Sequence, residues 1–142
     1  MNDPRTFISF DFDYNETEKM LFVGQSKNSK TPFNIEDWSS KSALLQSQWK
    51  TLVEEKINKC NLLIVLVGRS TARATGVAAE IEMATRNNVP FFGIYVGGAN
   101  SLTSLPSGLA RNRTIDWSWD KIASAISQVM NEGKNSSTYG RW

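Results

Sequence analysis

Histidine does not occur anywhere in this 142-residue chain. Its absence removes the Ser-His-Asp and Cys-His nucleophile systems and the common zinc sites together. Any chemistry must therefore run on carboxylates, hydroxyls, Arg, Lys or backbone dipoles, and no metal site is expected. Cysteine is nearly missing as well. Cys60 stands alone, so no internal disulfide can form, and without a histidine to activate it the thiol reads as a small buried hydrophobe. Long apolar runs are lacking. The longest, Leu62 to Val67 and Val89 to Val96, fall far short of the ~20 residues that span a bilayer. No charged leader followed by an apolar stretch opens the sequence, so the expected compartment is the cytoplasm, away from any membrane.

Charge of one sign is also scarce. Sixteen Lys plus Arg face 14 Asp plus Glu, a net +2, and the basic residues are scattered with no stripe that would follow a phosphate backbone, so no nucleic-acid partner is expected. The nucleotide-binding signatures are missing too. No G-x-G-x-x-G follows the first apolar segment and no G-x-x-x-x-G-K-S/T occurs, which argues against a Rossmann dehydrogenase and a P-loop ATPase.

What is present is a regular alternation. Arg5 to Phe10, Asn61 to Val67 and Val89 to Val96 read as buried strands, the last two almost unbroken in apolar residues as strands covered on both faces are. Pro32 to Glu36 and Arg113 to Ile115 read as shorter strands. Between them, Leu45, Trp49, Leu52, Val53, Ile57 and Cys60 recur at helical spacing, Val77, Ile81 and Ala84 form a second stripe, and Trp119, Ile122, Ala123, Ile126 and Val129 a third. Asp116 or Ser118 opens that third helix and Gly133 closes it. Asn15 with Glu18 three residues later predicts a cap for the first helix, and Gly24 its end. Strand and helix alternating throughout predict an α/β fold: a flavodoxin-like three-layer sandwich with a five-stranded parallel sheet in the order 2-1-3-4-5. One domain is expected over residues 1–133, followed by a flexible polar tail over 134–142.

In such a sheet, ligands bind beyond the carboxyl ends of the strands, where strand order reverses. The residues leaving the first and third strands are Phe10, Asp11, Phe12 and Asp13 on one side and Gly68, Arg69, Ser70 and Thr71 on the other; Asp37 and Trp38 follow the second strand. Asp11 and Asp13 read either as acids of a metal site or as caps of the following turn and helix. Trp38 reads either as a stacking surface for a base or ring, or as packing; Trp49, Trp117 and Trp119 read as packing anchors. Glu80 lies on the flank of the Val77, Ile81 and Ala84 stripe, one turn into a helix, near the positive end of its dipole. That carboxylate is placed either to meet a ligand or to form an ordinary surface pair with Arg73 or Arg86. Glu82 points into solvent.

Five segments together carry a resemblance. Phe7-Ile8-Ser9-Phe10-Asp11 resembles the F-I-S-F/Y start of TIR and TIR-like domains. Leu62 to Gly68 followed by Ser70-Thr71 resembles their strand with its Gly and Ser/Thr exit. Val77-Ala78-Ala79-Glu80-Ile81 with Ala84 resembles the V-x-x-E-I-x-x-A helix start, Pro90-Phe91-Phe92-Gly93-Ile94 the next strand, and Ile115 to Trp119 the late W-x-W element. The likeness extends over about residues 5 to 130 and is greatest to the TIR-like domain of the Thoeris antiviral signalling proteins. Many relatives carry Trp immediately before the valine of the helix motif; this chain has Gly76, which takes a bulky wall from the pocket.

The resemblance implies NAD+ as substrate, with no cofactor, and cleavage of the nicotinamide–ribose bond to give ADP-ribose or a cyclised signal. It implies Glu80 as the catalytic glutamate, with Ser9, Phe10 and Asp11 lining the pocket from the first strand, Gly68 and Thr71 from the third, and Asp37 and Trp38 completing the substrate side. The partner it implies is a separate signal-receiving effector protein, and it leaves room for a phage-derived trigger and a homo-oligomer. Two other readings stand beside it: a non-catalytic TIR-like adaptor acting by protein–protein assembly, and a flavodoxin-like or receiver-like domain holding flavin or Mg2+ through Asp11 and Asp13.

Overall fold

Leu62 to Val67 set the centre of the molecule, because a six-residue strand with no polar side chain must be covered on both faces. The computed structural model, which describes residues 5–11, 14–15, 17–22, 34–36 and 46–132, covers it that way. The strands are β1 (Arg5–Ser9), β2 (Asn34–Glu36), β3 (Leu62–Val67), β4 (Phe91–Tyr95) and β5 (Thr114–Ile115). Residues 14–15 and 17–22 are helical (α1), followed by α2 (Gln46–Lys59), α3 (Thr75–Arg86) and α4 (Trp119–Glu132). Short 3-10 turns at Thr71–Arg73 and Arg111–Arg113 lead into α3 and β5.

All strand pairs are parallel, in the spatial order β2-β1-β3-β4-β5. Phe7 lies opposite Leu63, Ser9 opposite Val65, and Val65 opposite Gly93. The α/β class and the parallel central strands expected from the sequence are therefore present.

Side chains that alternate along a strand divide the core in two. Phe7, Leu63, Val65 and Val67 pack with Val53 and Ile57 of α2 and Val77, Ile81, Met83 and Ala84 of α3. Ile8, Phe10, Leu62, Ile64 and Leu66 pack on the other side with Phe22 of α1 and Ile122, Ile126 and Val129 of α4. Each such side chain taken fully from water contributes about 1.5–3 kcal/mol before entropy is set against it. Trp117 and Trp119 pack against the second cluster around Phe22, with ring centroids 5.7 and 5.2 Å from it. Cys60 is buried, as a small hydrophobe should be.

Two details differ from the sequence reading. Leu52, counted in the α2 stripe, is exposed; Val53, Ile57 and Cys60 carry that face instead, and Leu52 lies one residue, about 100°, around the helix from Val53. β4 begins at Phe91; Val89 and Pro90 lie between α3 and the strand, with the Val89 amide on the Ala84 carbonyl at 2.8 Å and the Pro90 carbonyl accepting the Leu63 amide at 3.0 Å. Gly24, Gly133 and the expected tail over 134–142 lie outside the described residues. Among those described, no helix is long and apolar enough to cross a membrane.

Candidate functional site

β1 ends on a polar residue in an apolar setting. Alternation sends Phe7 and Ser9 toward α2 and α3, and Ile8 and Phe10 toward α1 and α4. Ser9 is fully buried, so its hydroxyl needs an internal partner. It finds one in Glu80 of α3, donating to Oε1 at 2.5 Å. That length lies at the short end of hydrogen bonds from a hydroxyl to a carboxylate, which are about twice as strong as neutral ones.

Glu80 is only 1% exposed, and its Oε2 is buried with no hydrogen bond from the described residues. The sequence put this residue on the flank of an apolar stripe; the structure puts it inside the covered arc. Val77, Glu80, Ile81, Met83 and Ala84 are all buried, an arc of about 160° at ~100° per residue in which Glu80 falls between Met83 and Ala84. Met83 makes the difference. α3 rests on α2 as well as on the sheet, and Met83, buried in the core cluster that includes Val53 and Ile57 of α2, extends the covered surface past Glu80.

The surface pair weighed for Glu80 does not form. Arg86 bonds Glu82 at 2.8 Å and Glu54 of α2 at 3.0 Å, while Asn87 donates to the other Glu54 oxygen at 2.9 Å. The Arg86 guanidinium, and after it the Asn87 amide, hold the Glu54 carboxyl below its ordinary value, and Glu54 in turn raises Arg86. Glu82 is exposed, as expected.

Next to this pair, the exit of β1 is tied to the exit of β3. Ser70 donates its hydroxyl to Asp11 Oδ2 at 2.7 Å. The Asp11 carbonyl accepts the amides of Tyr14 and Asn15, starting α1. The Gly68 amide donates to Thr71 Oγ1 at 2.8 Å, and the Thr71 hydroxyl lies 3.3 Å from Asn15 Oδ1. Gly68 is needed there because a Cβ on it would fall 2.5–2.8 Å from the Asn15 side chain. The crevice between the first and third strands is thus bridged by the protein's own side chains.

Of the residues expected to form a site, Ser9 and Glu80 are in direct contact, and Asp11, Gly68 and Thr71 belong to the adjoining network. Phe10 faces the opposite side of the sheet, with Lys19 Nζ 5.9 Å from its ring centroid. Asp37 and Trp38 lie outside the described residues. Asn15, read from sequence only as a helix cap, is a joint between α1 and the β3 exit; no sequence signal marks that second role. Ser70 was legible only as one of several residues leaving β3. Among the described residues no group of three acidic or thiol side chains is placed to hold a metal ion.

Among the described residues the geometry therefore offers an enclosed carboxylate with a strong donor, Ser9, at the end of a central strand. A cavity of about 640 Å3 exists elsewhere, between β5, the segment around Arg111 and α4, and includes none of the expected site residues. A carboxylate removed from water costs several kcal/mol unless it is compensated, and such groups concentrate where a protein does chemistry.

Comparison with curated proteins gives no significant match. Comparison with protein families does. The model of the TIR-like domain of the Thoeris protein ThsB matches residues 7–101, a stretch that includes Ser9, Asp11, Gly68, Thr71 and Glu80. With well over half of its length matched, this chain belongs to the ThsB TIR-like domain family of Thoeris proteins.

Proposed function

We propose that this protein is an NAD+-consuming enzyme of anti-phage defence, with Glu80 as its catalytic carboxylate. Membership in a Thoeris family supports the defence role. The observation that carries the catalytic reading is the Glu80 carboxylate, buried at the end of β1 and held by Ser9 at 2.5 Å.

The chemistry suits a chain without histidine. When the C1′–N bond of NAD+ breaks, its electron pair stays with nicotinamide, which leaves as a neutral molecule, so no general acid is required. Positive charge develops on the ribose, as it does on the sugar in glycoside hydrolysis. A carboxylate beside the ribose stabilises that charge, and more strongly in an enclosed site than in water. Water then completes hydrolysis with loss of a proton, or a nucleophilic atom of the ADP-ribose closes a ring. The second course gives a cyclic signal for a separate effector protein. Glu80 also positions the ribose hydroxyls, which lowers the entropy cost of reaching the reacting geometry. Because Glu80 is only 1% exposed, substrate reaches it after the residues covering it part, which fits an enzyme silent until triggered.

The test is to incubate the purified protein with NAD+, alone and in lysate from phage-infected cells, and to analyse the nucleotides by mass spectrometry. Free nicotinamide and an ADP-ribose-derived product are expected in at least the infected lysate. No nicotinamide under either condition overturns the enzyme reading in favour of an assembly adaptor.

A further inference from the structure

We propose that Ser9 is a positioning residue for Glu80 and not a ligand for substrate. The inference rests on the reading of Glu80 as the catalytic carboxylate. A serine hydroxyl has one hydrogen to give, and here Glu80 Oε1 takes it at 2.5 Å in a position fully shut from solvent. That hydrogen is unavailable to a ribose or phosphate while the contact lasts.

The two partners differ in stiffness, and this decides which one positions the other. Ser9 has a single side-chain torsion bearing its heavy atoms, and its backbone is locked in the sheet opposite Val65. Glu80 has three torsions, which an unanchored side chain would sample at a cost in rotamer entropy when it had to be fixed for reaction. The strand therefore anchors the helix carboxylate. Asp11 reinforces the anchor. It stands two residues beyond Ser9 and accepts Ser70, so the end of β1 touches the segment leading into α3 at one point and α3 itself at another. Two contacts ten residues apart on that segment fix how far α3 is advanced along the strand ends, and so where the carboxylate sits. Misplacement of a reacting group by 1 Å costs about 10² in rate, which makes such a clamp consequential.

The experiment compares the parent with Ser9→Ala, Ser9→Cys and Ser9→Thr in the full chain, measuring kcat and KM for nicotinamide release in infected-cell lysate, with thermal midpoints in parallel. Ser9→Cys keeps the shape but offers only a weak donor, and carries the test if the alanine variant folds poorly. The expected result is a fall in kcat of about 10- to 100-fold for Ala and Cys with KM within about twofold, and recovery by Thr, whose hydroxyl can reach the same oxygen. A rise in KM with kcat unchanged would make Ser9 a substrate ligand and overturn the proposal. So would parent-like turnover in Ser9→Ala and Ser9→Cys while Glu80→Gln is inactive, an outcome that leaves the Glu80 reading standing. If neither the parent nor any variant releases nicotinamide, the Glu80 reading fails and the positioning role fails with it.

Discussion

Removing both members of the buried Ser9–Glu80 pair should leave the protein at least as stable while ending its activity. Both side chains are essentially without solvent contact, so each single change removes a hydrogen-bond partner from a buried group. Ser9→Ala takes a hydroxyl donor from the buried carboxylate, which costs about 1–3 kcal/mol. Glu80→Met leaves the Ser9 hydroxyl without an acceptor, at about 1–3 kcal/mol. The double variant Ser9→Ala/Glu80→Met strands neither. Methionine matches the length of glutamate, favours helix and fills irregular gaps, so the arc from Met83 to Ile81 becomes continuously apolar. Replacement of buried charged groups by packed apolar ones is neutral to stabilising by about 1–4 kcal/mol. For a domain of this size each kcal/mol moves the thermal midpoint by roughly 3–5 °C. Calorimetric melts of the parent, both singles and the double variant should therefore place both singles below the parent and the double at or above it. A double variant destabilised by more than about 1 kcal/mol would refute the reasoning, because the pair would then be holding the fold together and its burial would say nothing about function.

Gly68→Ala should destabilise by about 1–3 kcal/mol, since its methyl would overlap Asn15 and push apart the β1 and β3 exits; an unchanged urea midpoint would contradict the close approach. Glu54 gives a pH prediction. Its carboxyl is held below the ordinary 4.5, chiefly by Arg86, so its contribution is present above that pH and fades as pH falls through the lowered value. The pair is 35–50% exposed, so solvent screening keeps the effect small. The midpoint difference between the parent and Glu54→Gln should accordingly shrink toward zero in acid, and a difference that persists at pH 3 would rule out this contact as its source.

The two-sided burial of β3 was legible in the sequence because six consecutive apolar residues admit almost no other arrangement. Glu80 was found as a candidate by its helix position and by family resemblance, but its burial was not legible. That depends on Met83, which joins the core cluster shared with α2 only once the two helices pack. The bridge from Asp11 to Ser70 and the joint of Asn15, Thr71 and Gly68 were hidden for the same reason: they link residues 56 to 59 positions apart, and single polar residues in turns carry no mark of their distant partners. Phe10 was grouped with Ser9 and Asp11 by adjacency in sequence, whereas the pleat sends its ring to the other face. Leu52 was overcounted because a helical stripe read from spacing alone is wider than the surface that α2 buries.

The central claim is that NAD+ cleavage runs on the Glu80 carboxylate, and the most direct test is nicotinamide release by Glu80→Gln beside Glu82→Gln in infected-cell lysate. Gln keeps the size of Glu80 and an oxygen for Ser9 to bond, and removes only the charge; Glu82 lies two residues away, exposed and paired with Arg86. Glu80→Gln is expected to lose about 10²–10³ in rate, with its circular dichroism spectrum intact, and Glu82→Gln to match the parent. Release by Glu80→Gln at the parent rate would contradict the claim.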